Sequence, residues 1–387
     1  MTDDKKKPSG LEGVVAASSA ICTVEGETGK LLYYGYDVRD LAGRASFEEI
    51  VHLLWYGELP TRRQLAALSE GLAMSRALPD EVIAIIRAFP EYSQPMEVLR
   101  TVVSSLSAFD RNACYYSHHA NMCKAVRLTA QIPTVVAAFQ RIRNGKDPVQ
   151  PRNDLGHAAN FIYMMDGQDP SEVASKAMDT ALVLHAEHEL NASTFAARVS
   201  AATLADMYSA ITSAIGTLSG PLHGGANEQA LEMLLEIGGK DKVEDYVHAA
   251  FAEKKKIPGF GHRVYRNEDP RATFMHQMAK ELSQSTGNTK IFEMTEMIEQ
   301  LMLKEKNIHA NVDLYSANVY YLLGIPPDLF TPIFAVSRIA GWTAHVMEQY
   351  NNNRLIRPRA EYIGPWDRHF VPIEERVGDE AQVFEMM

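Results

Sequence analysis

The sequence predicts an almost entirely α-helical protein, and three observations carry that prediction. From Phe47 onward, apolar residues recur at helical spacing. Proline and glycine break the chain at short intervals, as they do between helices. No Val/Ile-rich strands alternate with helical segments, so a doubly wound α/β sheet is not expected.

The elements follow in order. After a polar lead-in, MTDDKKKPSG, the runs Ile21–Val24 and Leu31–Tyr34 flank a turn containing Gly26 and Gly29, which reads as a small β-hairpin. Phe47, Ile50, Val51, Leu54 and Trp55 lie on one face of a helix, and Pro60-Thr61 starts another that carries Leu65, Leu68 and Leu72. Pro79, Pro90, Pro95, Pro133, Pro148, Pro151 and Pro170 punctuate the next stretch, and the alanine-rich Ser171–Leu184 reads as helix. Between Lys240 and Pro258 a charged run ends in Glu253-Lys254-Lys255-Lys256 and reads as a solvated helix end. There is no internal repeat or low-complexity tract.

Composition bounds the function. The 387 residues are 46% hydrophobic, enough for a large core and about two domains. No apolar stretch reaches the roughly 18–20 residues of a membrane helix, and the N-terminus lacks the apolar centre of a signal peptide. Cys22, Cys114 and Cys123 have neither disulfide arithmetic nor zinc spacing, which fits a reducing cytoplasm. A net charge of −11 argues against non-specific nucleic-acid binding. Any anionic ligand must meet positive charge gathered locally.

Three constellations carry chemistry. In Ser219–Asn227 (SGPLHGGAN), His223 and two glycines stand just before a helix. The helix dipole there would favour a neutral ring that donates to a developing enolate oxygen, and a simple helix-capping turn reads equally well. In Pro258–Arg271 (PGFGHRVYRNEDPR), Gly259 and Gly261 are not a dinucleotide fingerprint. His262 with Arg263, Arg266 and Arg271 suits carboxylates or phosphates, and a solvated surface loop is the other reading. In Asn311–Ser316 (NVDLYS), Asp313 stands at a helix start, as an N-cap or as a carboxylate base.

GPLHGGAN, PGFGHRVYRNEDPRA and NVDLYSA, in that order and about forty to fifty residues apart, resemble the citrate synthase family. HAEHELNASTFAARV (His185–Val199), LFTPIFAVSRIAGWTAHVMEQ (Leu329–Gln349) and NNNRLIRPRAEYIGP (Asn351–Pro365) extend the resemblance over nearly the whole chain from Gly10 to about Glu375. It is nearest the short, dimeric bacterial form. The resemblance implies an all-α, citrate synthase-like fold, with a discontinuous large helical domain (1–219 and 321–387) and a small helical domain (220–320) that closes over the site.

It also implies roles. Asp313 would deprotonate the acetyl methyl group, His223 would stabilise the enol oxygen, and His262 would protonate the keto oxygen of oxaloacetate. His188, Arg271 and Arg338 would hold the substrate carboxylates, with Arg357 reaching the partner's site in a homodimer. Gly259, Phe260 and Gly261 would lie along CoA and Arg266 would meet its phosphate. CoA is then a co-substrate, no cofactor is bound permanently, and no metal is needed.

Other histidines read as structural: His118-His119 as surface, and His185 as packed behind the site. The methionines read as core filler. Use of propionyl-CoA to give 2-methylcitrate is the nearest alternative, because one methylene in an apolar pocket is worth only about 1–3 kcal/mol. A non-catalytic CoA- or oxaloacetate-binding paralogue would be expected to have lost one of His223, His262 and Asp313. A metal-dependent lyase or hydrolase is a further alternative.

Overall fold

The helix Phe47–Tyr56 starts where its sequence dictates. The Ser46 hydroxyl accepts from the Glu49 N–H at 3.3 Å, and the Glu49 carboxylate accepts from the Ser46 N–H at 2.8 Å. This reciprocal pair satisfies two amides that a helix start leaves open. Thr61 and Gln64 make the same box at the start of Arg62–Met74. Ser171 caps Glu172–His185, so the expected 171–184 helix lies one residue further along.

The structure, a computed structural model, describes residues 9–376 except 12, 263, 266 and 267. The expected hairpin is present as β1 (Cys22–Glu25) and β2 (Lys30–Tyr33), with Cys22 opposite Tyr33 and Glu25 opposite Lys30. A third antiparallel strand, β3 (Tyr36–Asp37), pairs with β2. It is too short for any alternation to announce it. Most of the remaining described residues are helical.

One proline departs from expectation. Pro133 does not end a helix; it sits inside His118–Arg143. A mid-helix proline removes one backbone bond and costs about 3 kcal/mol. Leu128, Ile132, Val135, Val136 and Phe139 on that helix are all buried. Burying a large apolar side chain contributes about 1.5–3 kcal/mol, so packing outweighs the local penalty.

The helix Phe330–Asn351 is buried along most of its length and packs against His118–Arg143, Ala192–Ala202, Met207–Leu218 and Glu172–His185. Gly341 permits the last of these contacts: a Cβ there would lie 2.5 Å from the Ala186 carbonyl oxygen and would strike the Glu187 carboxylate. A second group of helices (Ala226–Ile237, Val243–Ala252, Ala272–Thr286, Lys290–Lys306 and Val312–Leu322) packs largely on itself. Ala272–Thr286 also packs on Glu172–His185. Residues 252–256 are exposed, as expected of a solvated helix end.

From Ile356 the chain forms a separate small unit whose described residues include one short helical turn, Ile373–Glu375, with Tyr362, Ile363, Trp366 and Phe370 exposed. Among the described residues no helix is long and apolar enough to cross a membrane.

Candidate active site

His223 sits in a turn pressed against the main helical body. Gly224 makes this possible, since a Cβ there would come within 2.8 Å of the Thr331 methyl group. Thr331 Oγ1 also donates to the Gly224 carbonyl at 2.9 Å. The Ser193 backbone N–H donates to His223 Nε2 at 3.2 Å, and the Ser193 hydroxyl lies 2.8 Å from the same nitrogen. A backbone amide can only donate, so Nε2 is the acceptor and Nδ1 carries the ring proton. Burial, and then the Arg338 charge, push the ring pKa down to about 4. These two causes favour the neutral imidazole, the state expected from the sequence.

His262 is fixed in the opposite sense. The backbone N–H groups of Val264 and Tyr265 donate to its Nδ1 at 3.0 and 3.1 Å, so the proton is on Nε2. Burial first, and Arg271 second, bring its pKa down to about 4. His188 packs edge-on to this ring at 5.3 Å between centroids, and its Nε2 lies 3.2 Å from the Tyr265 hydroxyl. Burial, Arg271, Arg338 and His262 together hold His188 well below the usual imidazole range.

The second and third constellations meet through backbone. Phe260 and Ala310 form an isolated antiparallel bridge, and the Asn311 N–H donates to the Gly259 carbonyl at 2.9 Å. Gly259 has φ 85°, and a Cβ there would lie 2.8 Å from Leu314. Glycine is therefore required both for its left-handed backbone and for the close approach.

Asp313 is not the helix cap. Asn311 fills that place: its Oδ1 accepts from the Asp313 N–H at 3.0 Å, and its Nδ2 donates to the Gly261 carbonyl at 2.9 Å. Asp313 sits in the first turn of Val312–Leu322, and no described residue hydrogen-bonds its carboxylate. A cap would have held the carboxylate pKa low. Burial instead raises it to about 6, with Arg271 opposing and Asp269 adding to the rise.

Arg271 and Arg338 supply the buried positive charge that the net charge of −11 requires. Asp269 grips Arg271 with two bonds, at 2.9 and 2.8 Å, and also accepts from the Val312 N–H at 3.0 Å. Burial works against the Arg271 charge, and Asp269 outweighs it, leaving the guanidinium firmly protonated. Arg338 donates to the His185 carbonyl at 2.8 Å, and His185 donates from Nδ1 to the Ala181 carbonyl at 2.7 Å. His185 is thus the packed support expected of it.

The structure therefore brings His188, His223, His262, Arg271, Asp313 and Arg338 into one hydrogen-bonded and electrostatically linked neighbourhood. Gly259, Phe260 and Gly261 lie beside it, with the Gly259 and Gly261 carbonyls engaged by Asn311. Arg357 is exposed in the separate unit that follows Leu355. Arg266 lies outside the described residues. His118 and His119 are exposed. Among the described residues no group of three His, Cys, Asp or Glu is placed to hold a metal ion.

Sequence reading assigned no role to Ser193, Tyr265 or Asn311. Asn311 had a usable signal, since an asparagine two residues before a helical aspartate is itself a good cap.

Comparisons with known proteins agree in one direction. Residues 10–359 match the family model described as citrate synthase, C-terminal domain. Citrate synthase 2 of Bacillus subtilis is 53% identical over 95% of this chain and 98% of that protein. A 2-methylcitrate synthase of Shewanella oneidensis is 41% identical over 97% of this chain and all of that one. The crystal structure of citrate synthase from Pyrobaculum aerophilum superposes with a TM-score of 0.90 at 41% identity, covering 95% of each chain. The ternary complex of citrate synthase from Thermoplasma acidophilum with carboxymethyl coenzyme A and oxaloacetate superposes with a TM-score of 0.89 at 35% identity, covering 95% of this chain and 98% of that one.

Proposed function

The chain belongs to the citrate synthase family and is a citrate-forming enzyme that makes a C–C bond, and from that premise we propose how its residues divide the reaction between acetyl-CoA and oxaloacetate. The observation that carries the proposal is a base and two donors in complementary protonation states. Asp313 is a half-buried carboxylate with a pKa of about 6, while His223 and His262 are neutral with one N–H each left free by described residues.

A thioester methyl group is far less acidic than any carboxylic acid, so its proton leaves only if the oxyanion is stabilised as it forms. Asp313 takes the proton from the methyl carbon, and His223 Nδ1–H donates to the thioester oxygen. The enol carbon then attacks the keto carbon of oxaloacetate, and His262 Nε2–H delivers its proton to the keto oxygen. Water hydrolyses the resulting citryl thioester, releasing CoA and citrate. His188, Arg271 and Arg338 hold the dianion's carboxylates, arginine doing so with two-pronged geometry that lysine lacks.

Residues 220–320 form the small domain that closes over the substrates and shields the enol from water, with the large domain formed by 1–219 and 321–387. The self-packed second group of helices supports this division. The enzyme acts as a homodimer in which Arg357 enters the partner's site. Exposed Tyr362, Ile363, Trp366 and Phe370 on the segment carrying Arg357 support such an assembly, since a run of exposed apolar groups marks an interface. We place the enzyme in the cytoplasm, where the free Cys22, Cys114 and Cys123 stay reduced.

Thiol release from acetyl-, propionyl- and butyryl-CoA with oxaloacetate tests the substrate. A higher kcat/KM for propionyl-CoA would make the enzyme a 2-methylcitrate synthase. No release from any of the three would refute the reading.

A further inference from the structure

We propose that Tyr265 is a positioning residue that holds His188 in the tautomer able to donate to an oxaloacetate-type dianion from Nδ1. This rests on the reading of His188 as a carboxylate-holding residue.

Tyr265 is only 5% exposed and touches three side chains of the site. Its ring lies 4.5 Å from His262 and 5.7 Å from His188 between centroids, and the Arg271 guanidinium stands 6.0 Å from it. Its backbone N–H helps fix the His262 tautomer, and its hydroxyl lies 3.2 Å from His188 Nε2. One residue thus addresses two histidines, one through backbone and one through side chain.

The direction of the hydroxyl contact follows from counting partners. A buried phenol needs an acceptor for its proton. Among the described residues His188 Nε2 is the one hydrogen-bond partner of this hydroxyl. If Nε2 carried the ring proton and donated to the phenol oxygen, the phenol proton would be left without an acceptor among the described residues. The phenol therefore donates, Nε2 accepts, and the His188 proton resides on Nδ1. No hydrogen bond from another described residue reaches Nδ1; the ring's one backbone partner is His188 itself, which a ligand carboxylate would displace.

The hairpin seats this arrangement. Gly26, in the β1–β2 turn, lies so close to Val264 that an added Cβ would collide with the Val264 carbonyl. The N-terminal sheet thereby braces the residue next to Tyr265.

The experiment is a double-mutant cycle of Tyr265→Phe and His188→Ala, with Tm measured for each variant. It is read by the KM for oxaloacetate, by kcat, and by two-bond 1H–15N spectra of histidine-labelled protein, with His188→Ala identifying the His188 signals. Loss of one such hydrogen bond corresponds to about a 3–10-fold rise in KM. Tyr265→Phe is expected to produce that rise with a smaller change in kcat, and to convert His188 from the Nδ1–H form to a tautomer mixture. In the His188→Ala background the rise is expected to vanish, because directly coupled residues are non-additive. An equal rise in both backgrounds, or an unchanged His188 spectrum, would overturn the proposal. A wild-type protein inactive with oxaloacetate would refute the functional reading, and the spectra would then decide the Tyr265 assignment alone.

Discussion

With Asp313 as the proposed base, its raised pKa predicts a rate of condensation that is sensitive to acid in a defined way. A base with a pKa of about 6 is roughly 91% ionised at pH 7 and 9% at pH 5, a tenfold loss. At its ordinary value of 3.8, the same carboxyl would lose only about 6% of its ionised form at pH 5. His223 and His262, at about 4, stay neutral over most of this range and add little above pH 5. The expected profile of kcat at saturating oxaloacetate therefore has a single acid limb of unit slope centred near pH 6. Initial rates of thiol release between pH 5 and 8.5 measure it, with Tm recorded at each pH to exclude unfolding. Asp313→Asn is expected to lower kcat by at least about 10²–10³ and to abolish the limb, since an amide cannot accept the proton. A rate flat down to pH 5, or an acid limb that survives in the residual activity of Asp313→Asn, would refute the assignment of base and environment.

Three further outcomes follow from neighbouring contacts. Asp269→Asn removes both a charge that raises the Asp313 pKa and the partner of Arg271. The acid limb should move to lower pH and the oxaloacetate KM should rise, both visible in the same rate profiles. Gly341→Ala forces a methyl group against the Ala186 carbonyl and is expected to destabilise the fold by about 1–3 kcal/mol, measured by chemical denaturation. Asp179 is held protonated to about pH 7, mainly by burial and then by Glu48. A raised carboxyl pKa gives stability that is complete below 3.8 and lost as pH rises through 7. Asp179→Asn should therefore match wild type near pH 4 and exceed it at pH 8 by about 1–3 kcal/mol, allowing for the group's partial exposure. Denaturation curves at the two pH values check the sign.

Much of the fold was legible in local chemistry. Ser46, Thr61 and Ser171 announce helix starts because a hydroxyl before a helix has one profitable use, accepting an open amide. Pro133 misled because its penalty is local while the burial that overcomes it is tertiary. The candidate site was legible as residue types and order, and its protonation states were not. Those depend on contacts between residues far apart in the chain: Ser193 with His223, and Asp269 with the first turn of the Asp313 helix. Asp313 shows the limit clearly. A carboxylate at a helix start reads as a cap until the fold reveals that Asn311, two positions earlier, already occupies that role.

Asn311 also sets a tolerance. Its amide hydrogen-bonds the loop carrying His262 with one end and the backbone of Asp313 with the other. The proposed proton donor and proton acceptor are thus located from one reference point, and a small rigid shift of the pair preserves their spacing. Redesign of either loop alone would lose that shared origin. A graft of this chemistry onto another scaffold would have to carry residues 259–262 and 309–314 as one part.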